Sequence, residues 1–176
     1  MSGTRNDPAS GDIASSADIE SISDNPVRPV RVRIAEDSDV PALVHLWDAC
    51  GLIRPWNDAP TDIAFARRGP NSAVLVAEGS DGIAAAVLVG HDGHRGAVYY
   101  VSADPARRGE GLGRLIMDAA EAWLIARGIW KLNLLVRKSN LGVIGFYKSI
   151  GYDEDETVAL SKRLQPMPHV DPDAPH

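Results

Sequence analysis

Apolar and polar positions alternate over Val30–Ile34, which predicts a strand at the start of the patterned part of the chain. Asp37 or Ser38 stands where a helix cap is wanted, Pro41 is tolerable in a first turn, and a helix is expected from there through Ala49, ended by Gly51. Leu52–Asp58 reads as a loop and Thr61–Arg67 as a short helix. The apolar runs Ala73–Glu78 and Ile83–Gly90 flank Gly79-Ser80-Asp81-Gly82 as a hairpin, and a second turn, His91–Gly96, leads into a strand over Ala97–Ser102. Leu112, Leu115, Ile116, Ala119 and Trp123 repeat at helical spacing as far as Gly128, after which Lys131–Val136 alternates as another strand. Asn140 caps a short helix closed by Gly151, and Thr157–Leu164 is expected to finish the sheet. The resulting order, β-α-α-β-β-β-α-β-α-β, predicts a mixed α/β (α+β) domain with one crossover helix leaving a central strand.

Composition narrows this to one domain. A chain of 176 residues with 44% hydrophobic content is long enough for one core and short for two. Residues 1–28 are rich in Ser, Asp, Gly and Pro and predict a flexible acidic leader; residues 165–176, with four prolines, predict a loose tail, leaving 29–164 as the domain. The leader lacks the basic start and apolar stretch of a secretory signal, and no segment approaches the roughly 20 apolar residues of a membrane span, so cytoplasmic residence is expected. A lone cysteine, Cys50, fits a reducing compartment and reads as a small buried hydrophobe. The net charge of −6 belongs to the ends: residues 29–164 carry 16 basic and 17 acidic side chains. A nearly neutral domain with Arg107, Arg108 and Arg114 gathered at one place predicts a focused anion site rather than a nucleic-acid face.

That place is Arg107-Arg108-Gly109-Glu110-Gly111-Leu112-Gly113-Arg114, between a predicted strand and a predicted helix. Three glycines on alternate positions let a ligand approach bare amides at the positive end of a helix dipole, as a phosphate cradle requires. A Walker A loop needs a lysine that is missing here, and a dinucleotide fingerprint needs a glycine where Ile116 stands. What remains is R-x-x-G-x-G, Arg108–Gly113.

Together with N-x-x-V-I-G-F-Y-K-x-x-G-Y over Asn140–Tyr152, that motif resembles the Gcn5-related N-acetyltransferases across roughly Val30–Leu164. Arg54-Pro55-Trp56-Asn57-Asp58 and the His91–Gly96 turn look like the small bacterial YpeA-type subgroup. The resemblance implies the acyl-CoA N-acyltransferase fold, a mixed, mostly antiparallel sheet flanked by helices, whose central strands splay to admit the pantetheine arm. It implies acetyl-CoA as co-substrate and a small-molecule or peptide amine as acceptor; His91, Asp92 and His94 share one hairpin turn that reads as solvated, so no metal is expected, nucleic acid and membrane are not expected as partners, and a homodimer is possible.

The chemistry can then be assigned residue by residue. Amides of Gly109, Glu110, Gly111, Leu112, Gly113 and Arg114 are expected to receive the pyrophosphate, with Arg107, Arg108 or Arg114 adding charge-assisted hydrogen bonds. Glu110 is expected to point outward, because a carboxylate in the cradle would repel the ligand. Main-chain groups around Tyr100, Val101 and Ser102 would orient the thioester, and Tyr147 occupies the family's general-acid position. A free phenol (pKa about 10) gives up its proton less readily than a free thiol (about 8.5), so Tyr147 is expected to donate only partially to the departing sulfur; packing beside Phe146 and Ile150 is the competing reading. Asn140 either contacts the cofactor or serves only as a cap. Arg54, Trp56, Asn57 and Asp58 are the acceptor-binding candidates; the alternative is that Trp56 packs under the loop and Asp58 caps the next helix. Ala97–Ser102 contains no carboxylate, so the sequence offers no evident base, and a water relay toward Asp104, Glu78 or Asp92 with a low-pKa α-amine is expected. The expected activity is direct acetyl transfer through a ternary complex; a catalytically silent acyl-CoA-binding or regulatory module remains open.

Overall fold

Residues 29–162 and 164 are described by a computed structural model. Strand β1 (Val30–Ile34) leads through a short turn into helix α1 (Val40–Ala49) and then α2 (Ala59–Ala66). Strands β2 (Ser72–Gly79), β3 (Gly82–His91) and β4 (Gly96–Ala103) follow as two hairpins, helix α3 (Leu112–Ile125) crosses over to β5 (Leu132–Asn133), and α4 (Leu141–Ser149) closes the order. The sheet runs β1-β2-β3-β4-β5, antiparallel at the first three junctions and parallel at the last. A parallel neighbour cannot be reached by a tight turn, which is why the one long helix lies between β4 and β5.

Both faces of the sheet are covered, so β2 and β3 read as unbroken apolar runs rather than alternating ones. Ala73, Leu75 and Ala77 of β2, with Val87 and Val89 of β3, pack under Ile116, Met117, Ala120 and Trp123 of α3 and Tyr147 of α4. Val74 and Val76 face the other way, onto Leu43, Leu46 and Trp47 of α1 and Ile63 of α2. Trp47 is completely buried. Beside this second core the Arg33 guanidinium of β1 grips Asp39 with Nη1 and Nη2 at 2.6 and 2.9 Å, and its Nε donates to Glu78 of β2 at 2.8 Å. Asp39 also accepts from the Glu36 amide at 2.7 Å, so one guanidinium, with this carboxylate, ties the start of α1 to β1 and β2.

Three expectations change. The strand anticipated over Lys131–Val136 after the long helix pairs only at Leu132 and Asn133. The strand anticipated over Thr157–Leu164 does not form among the described residues of that range: Val158, Leu160 and Leu164 are 82%, 92% and 86% exposed. The physical reason is shared, since β5 leaves β4 after two residue pairs and offers no long ladder on which a further alternating segment could dock. The cap expected at Asp37 or Ser38 is instead the reciprocal pair Glu36 and Asp39, one short turn ahead of α1. The anticipated leader and tail lie outside the described residues. Among the described residues no helix is long and apolar enough to cross a membrane.

Candidate active site

Between Ala86 and Leu88 the β3–β4 register slips by one: Ala86 faces Ser102, but Leu88 faces Tyr99. Tyr100 and Val101 therefore share one partner, a bulge that takes main-chain groups out of the ladder midway along β4. Tyr100 has φ +51°, and among the described residues it is the only non-glycine in that region. Its ring stacks on Trp47, with centroids 4.0 Å apart and planes 6° from parallel. Its hydroxyl donates to Asp62 Oδ2 at 2.7 Å and accepts from Asn57 Nδ2 at 2.8 Å. Burial first, then the Asp62 carboxylate, push this phenol up to about 12. Val101 turns to the α3 core, and buried Ser102 donates its hydroxyl to the Ala86 carbonyl at 3.3 Å.

The β4–β5 ladder holds only Gly96 to Leu132 and Ala97 to Asn133. Beyond those pairs β4 continues alone through the bulge to Ala103, so the two strands part where the splay was anticipated. After β4, a short turn reaches the glycine run. Gly109 and Gly111 take φ +86° and +74°, and a Cβ on either would meet no atom within 4 Å. Gly111 is the cap residue of α3, and the first-turn amides after it have no carbonyl four residues back to satisfy them. The third glycine has another use: a Cβ on Gly113 would stand 3.1 Å from Phe146 Cζ, so this position lets α3 and α4 pack closely.

The arginines divide as well. Arg107 is buried (5% exposed), and its Nε and Nη2 donate to Glu110 Oε2 at 2.9 and 2.6 Å. The expectation that Glu110 points outward is corrected: its carboxylate is turned inward, its side chain 3% exposed, because a buried guanidinium needs a counter-charge and the turn supplies one three residues on. Arg108 and Arg114 are exposed, and Arg114 Nη2 donates to the Ser149 carbonyl at 2.9 Å, joining the start of α3 to the end of α4.

Tyr147 lies in the α3 core with its ring edge-on to Phe146 and Tyr152, at centroid distances of 5.1 and 5.5 Å. Burial pushes its phenol up, so it is protonated at neutral pH and slower still to surrender that proton outright. Tyr152 differs, since its hydroxyl is already committed to Glu121 Oε1 at 2.7 Å. Asn140 Oδ1 accepts from the Val143 amide at 3.3 Å as the cap of α4. In the loop before α2, Arg54 folds back on the Gly51 and Ile53 carbonyls at 2.6 and 2.8 Å, and Asp58 accepts from Thr61 at 2.6 Å at the head of α2. Trp56 is 45% exposed rather than packed under the loop. Only Asn57 of the four reaches β4 by a hydrogen bond among the described residues.

Residues 40–152 match the acetyltransferase (GNAT) family profile, well over half the chain. The chain belongs to the Gcn5-related N-acetyltransferases. An acetyltransferase of Yersinia enterocolitica is 41% identical over 135 residues, 77% of this chain and 96% of that protein. The fold is shared with glucosamine-6-phosphate N-acetyltransferase from Arabidopsis thaliana, at TM-score 0.62 and 21% identity over 78% of this chain and 99% of that one. It is shared too with a Clostridium acetobutylicum protein described as a predicted acetyltransferase with acetyl-CoA, at TM-score 0.61 and 20% identity over 76% and 96%.

For this acetyltransferase, sequence reasoning overlooked two side chains beside the bulge. Trp47 was legible only as a helix-facing apolar residue, and Asp62 as an ordinary first-turn carboxylate of a short helix. Nothing in their spacing points to β4, because the contact is made across 38 to 53 residues of chain.

Proposed function

We propose that the chain transfers acetyl from acetyl-CoA directly to a primary amine, of a small molecule or of a peptide or protein α-amine, and that it acts in the cytoplasm. The observation that carries this is the pairing of an exposed, Cβ-free turn at the start of α3 with strands that separate beside it. Open space at Gly109 and Gly111 fits a diphosphate against the amides of Gly109 to Arg114, with Arg108 and Arg114 as its cations. Arg107 and Glu110 then serve by holding the turn in shape.

Bound acetyl-CoA supplies the activated acetyl thioester. Main-chain groups at Tyr100, Val101 and Ser102, at and beside the bulge, orient it, and Tyr147 shares its proton with the sulfur as charge develops there, a contribution of about 10²–10⁴-fold for a positioned acid. Asn140 enters as the cap that sets the pitch of α4 and so the place of Tyr147. Arg54, Trp56, Asn57 and Asp58 form the rim past which the amine enters.

Release of free CoA thiol against a panel of amines and peptides tests the reading. Turnover by the native chain that falls in Tyr147→Phe at saturating acetyl-CoA supports it. Acetyl-CoA binding with no turnover by either protein would make the chain a silent binding module instead.

A further inference from the structure

A groove of about 750 Å³ opens on the α2 side of the sheet, where β4 and β5 stop pairing; Gly96, Ala97 and Asn133 from those strands form its floor. We infer that Asp62, tethered by the Tyr100 hydroxyl, is the carboxylate that receives the acceptor's amine, and that the acceptor is a cationic primary amine carried on an apolar stem. This rests on the acetyl-transfer reading for the identity of the reacting group, while the binding site stands on its own geometry.

Charge inside the groove argues for a cation. Asp62, Asp92, Arg95 and His91 are the ionisable groups lining it besides the two tyrosines. Asp92 Oδ1 is occupied by the His94 and Arg95 amides at 2.8 and 2.7 Å, and the Arg95 guanidinium lies 4.1 Å above the Trp130 ring and donates to the His94 carbonyl. Asp62 is engaged differently: among the described residues its one side-chain donor is Tyr100, to Oδ2, so Oδ1 remains for a ligand. A fixed carboxylate with one open oxygen suits an ammonium donor. The walls suit an apolar stem behind the nitrogen, since Phe65 (73% exposed) and Tyr99 (55% exposed) flank the same groove. A volume of this size suits a side chain or small molecule rather than a folded surface.

Position argues for a role in the reaction. Tyr100 is at once the tether of Asp62 and the bulged residue of β4, so the carboxylate is held to the strand segment proposed to orient the thioester. An ammonium must shed one proton to expose its lone pair and a second once the C–N bond has formed. Asp62 takes the first and passes it to solvent. As the C–S bond breaks, sulfur keeps the bonding pair and takes a proton from Tyr147, which the second nitrogen proton restores through water. One proton is released per acetyl group moved.

Amide-resolved NMR of the full chain, titrated separately with phenethylammonium, 2-phenylethanol and phenylacetate, tests the inference. Phenethylammonium should shift the Asp62, Tyr99 and Tyr100 signals saturably and bind roughly tenfold or more tighter than the alcohol, with phenylacetate weakest. Asp62→Asn should abolish the preference for the cation. Tyr100→Phe, which keeps the stacked ring, should weaken the ammonium several-fold and leave the alcohol unchanged. The dispersion of each variant's own amide spectrum reports an intact fold, Asp62→Ser replaces Asp62→Asn should that variant fail it, and calorimetry with acetyl-CoA is run on the native chain. Equal binding of ammonium and alcohol, a preference surviving in the Asp62 variant, or no binding of any of the three overturns the assignment. Failure of acetyl-CoA to bind would instead sink the transfer reading and leave the amine titration standing.

Discussion

Tyr100 shows how one residue can hold a costly conformation. A non-glycine at φ +51° costs about 1–2 kcal/mol. The parallel stack on Trp47 returns about 0.5–1.5 kcal/mol, and the hydrogen bond to the Asp62 carboxylate adds about 1.5–3 kcal/mol, so the two together outweigh the strain. Tyr147 is the contrasting case, a phenol among aromatic rings with no such tie among the described residues. Its burial keeps the proton on, which favours partial donation over full transfer. Tyr147→Phe should therefore lower kcat by about 100-fold or more with little change in acetyl-CoA affinity, as thiol-release kinetics beside calorimetry would reveal. A change of less than about threefold in kcat would leave the ring as packing only.

At the scale of elements, the turn before α3 and the helix itself divide the labour of the proposed cradle. Gly111 caps the helix in the left-handed region and looks onto open space, so an added side chain threatens the ligand more than the fold. Gly111→Asp should cost about 1 kcal/mol of stability, yet cut acetyl-CoA affinity by about 100-fold or more, because a like charge meets the diphosphate. Unchanged affinity by calorimetry would reassign the turn. Arg108 is exposed, so its contribution is open to screening. Arg108→Ala should weaken binding more at about 10 mM salt than at 1 M, where the Debye length shrinks from about 30 to 3 Å. A loss independent of salt would point to a packing role. The same mutation at Arg107 would confuse the two effects, because that guanidinium is buried on Glu110 inside the turn.

For the whole molecule, the Arg33–Asp39–Glu78 network couples the first strand, the first helix and β2. Hydrogen bonds from Arg33 hold both carboxyls below their ordinary values, which makes their stabilisation complete above about pH 4 and lost as pH falls through the depressed native values. Asp39→Asn should thus cost about 2 kcal/mol near pH 7, and denaturant titrations should show the gap to the native chain closing below pH 4; a gap constant with pH would remove the ionic role. The strands that form β1 to β4, the helices and the glycine turn were legible along the chain, because apolar period, caps and turn residues act over a few neighbours. The inward Glu110, the missing strand among the described residues of 157–164 and the packing role of Gly113 were not, since each depends on what another element brings alongside. Local chemistry along the chain was enough to point to the turn where a diphosphate is proposed to bind, while the proposed role of Tyr147 rests on the family resemblance of its motif. Only folding decided that α2 would lay Asp62 against a bulge on β4, because that meeting is set by the stacking of helices on a sheet and by a one-residue slip in register, neither of which leaves a periodic trace in the residues themselves.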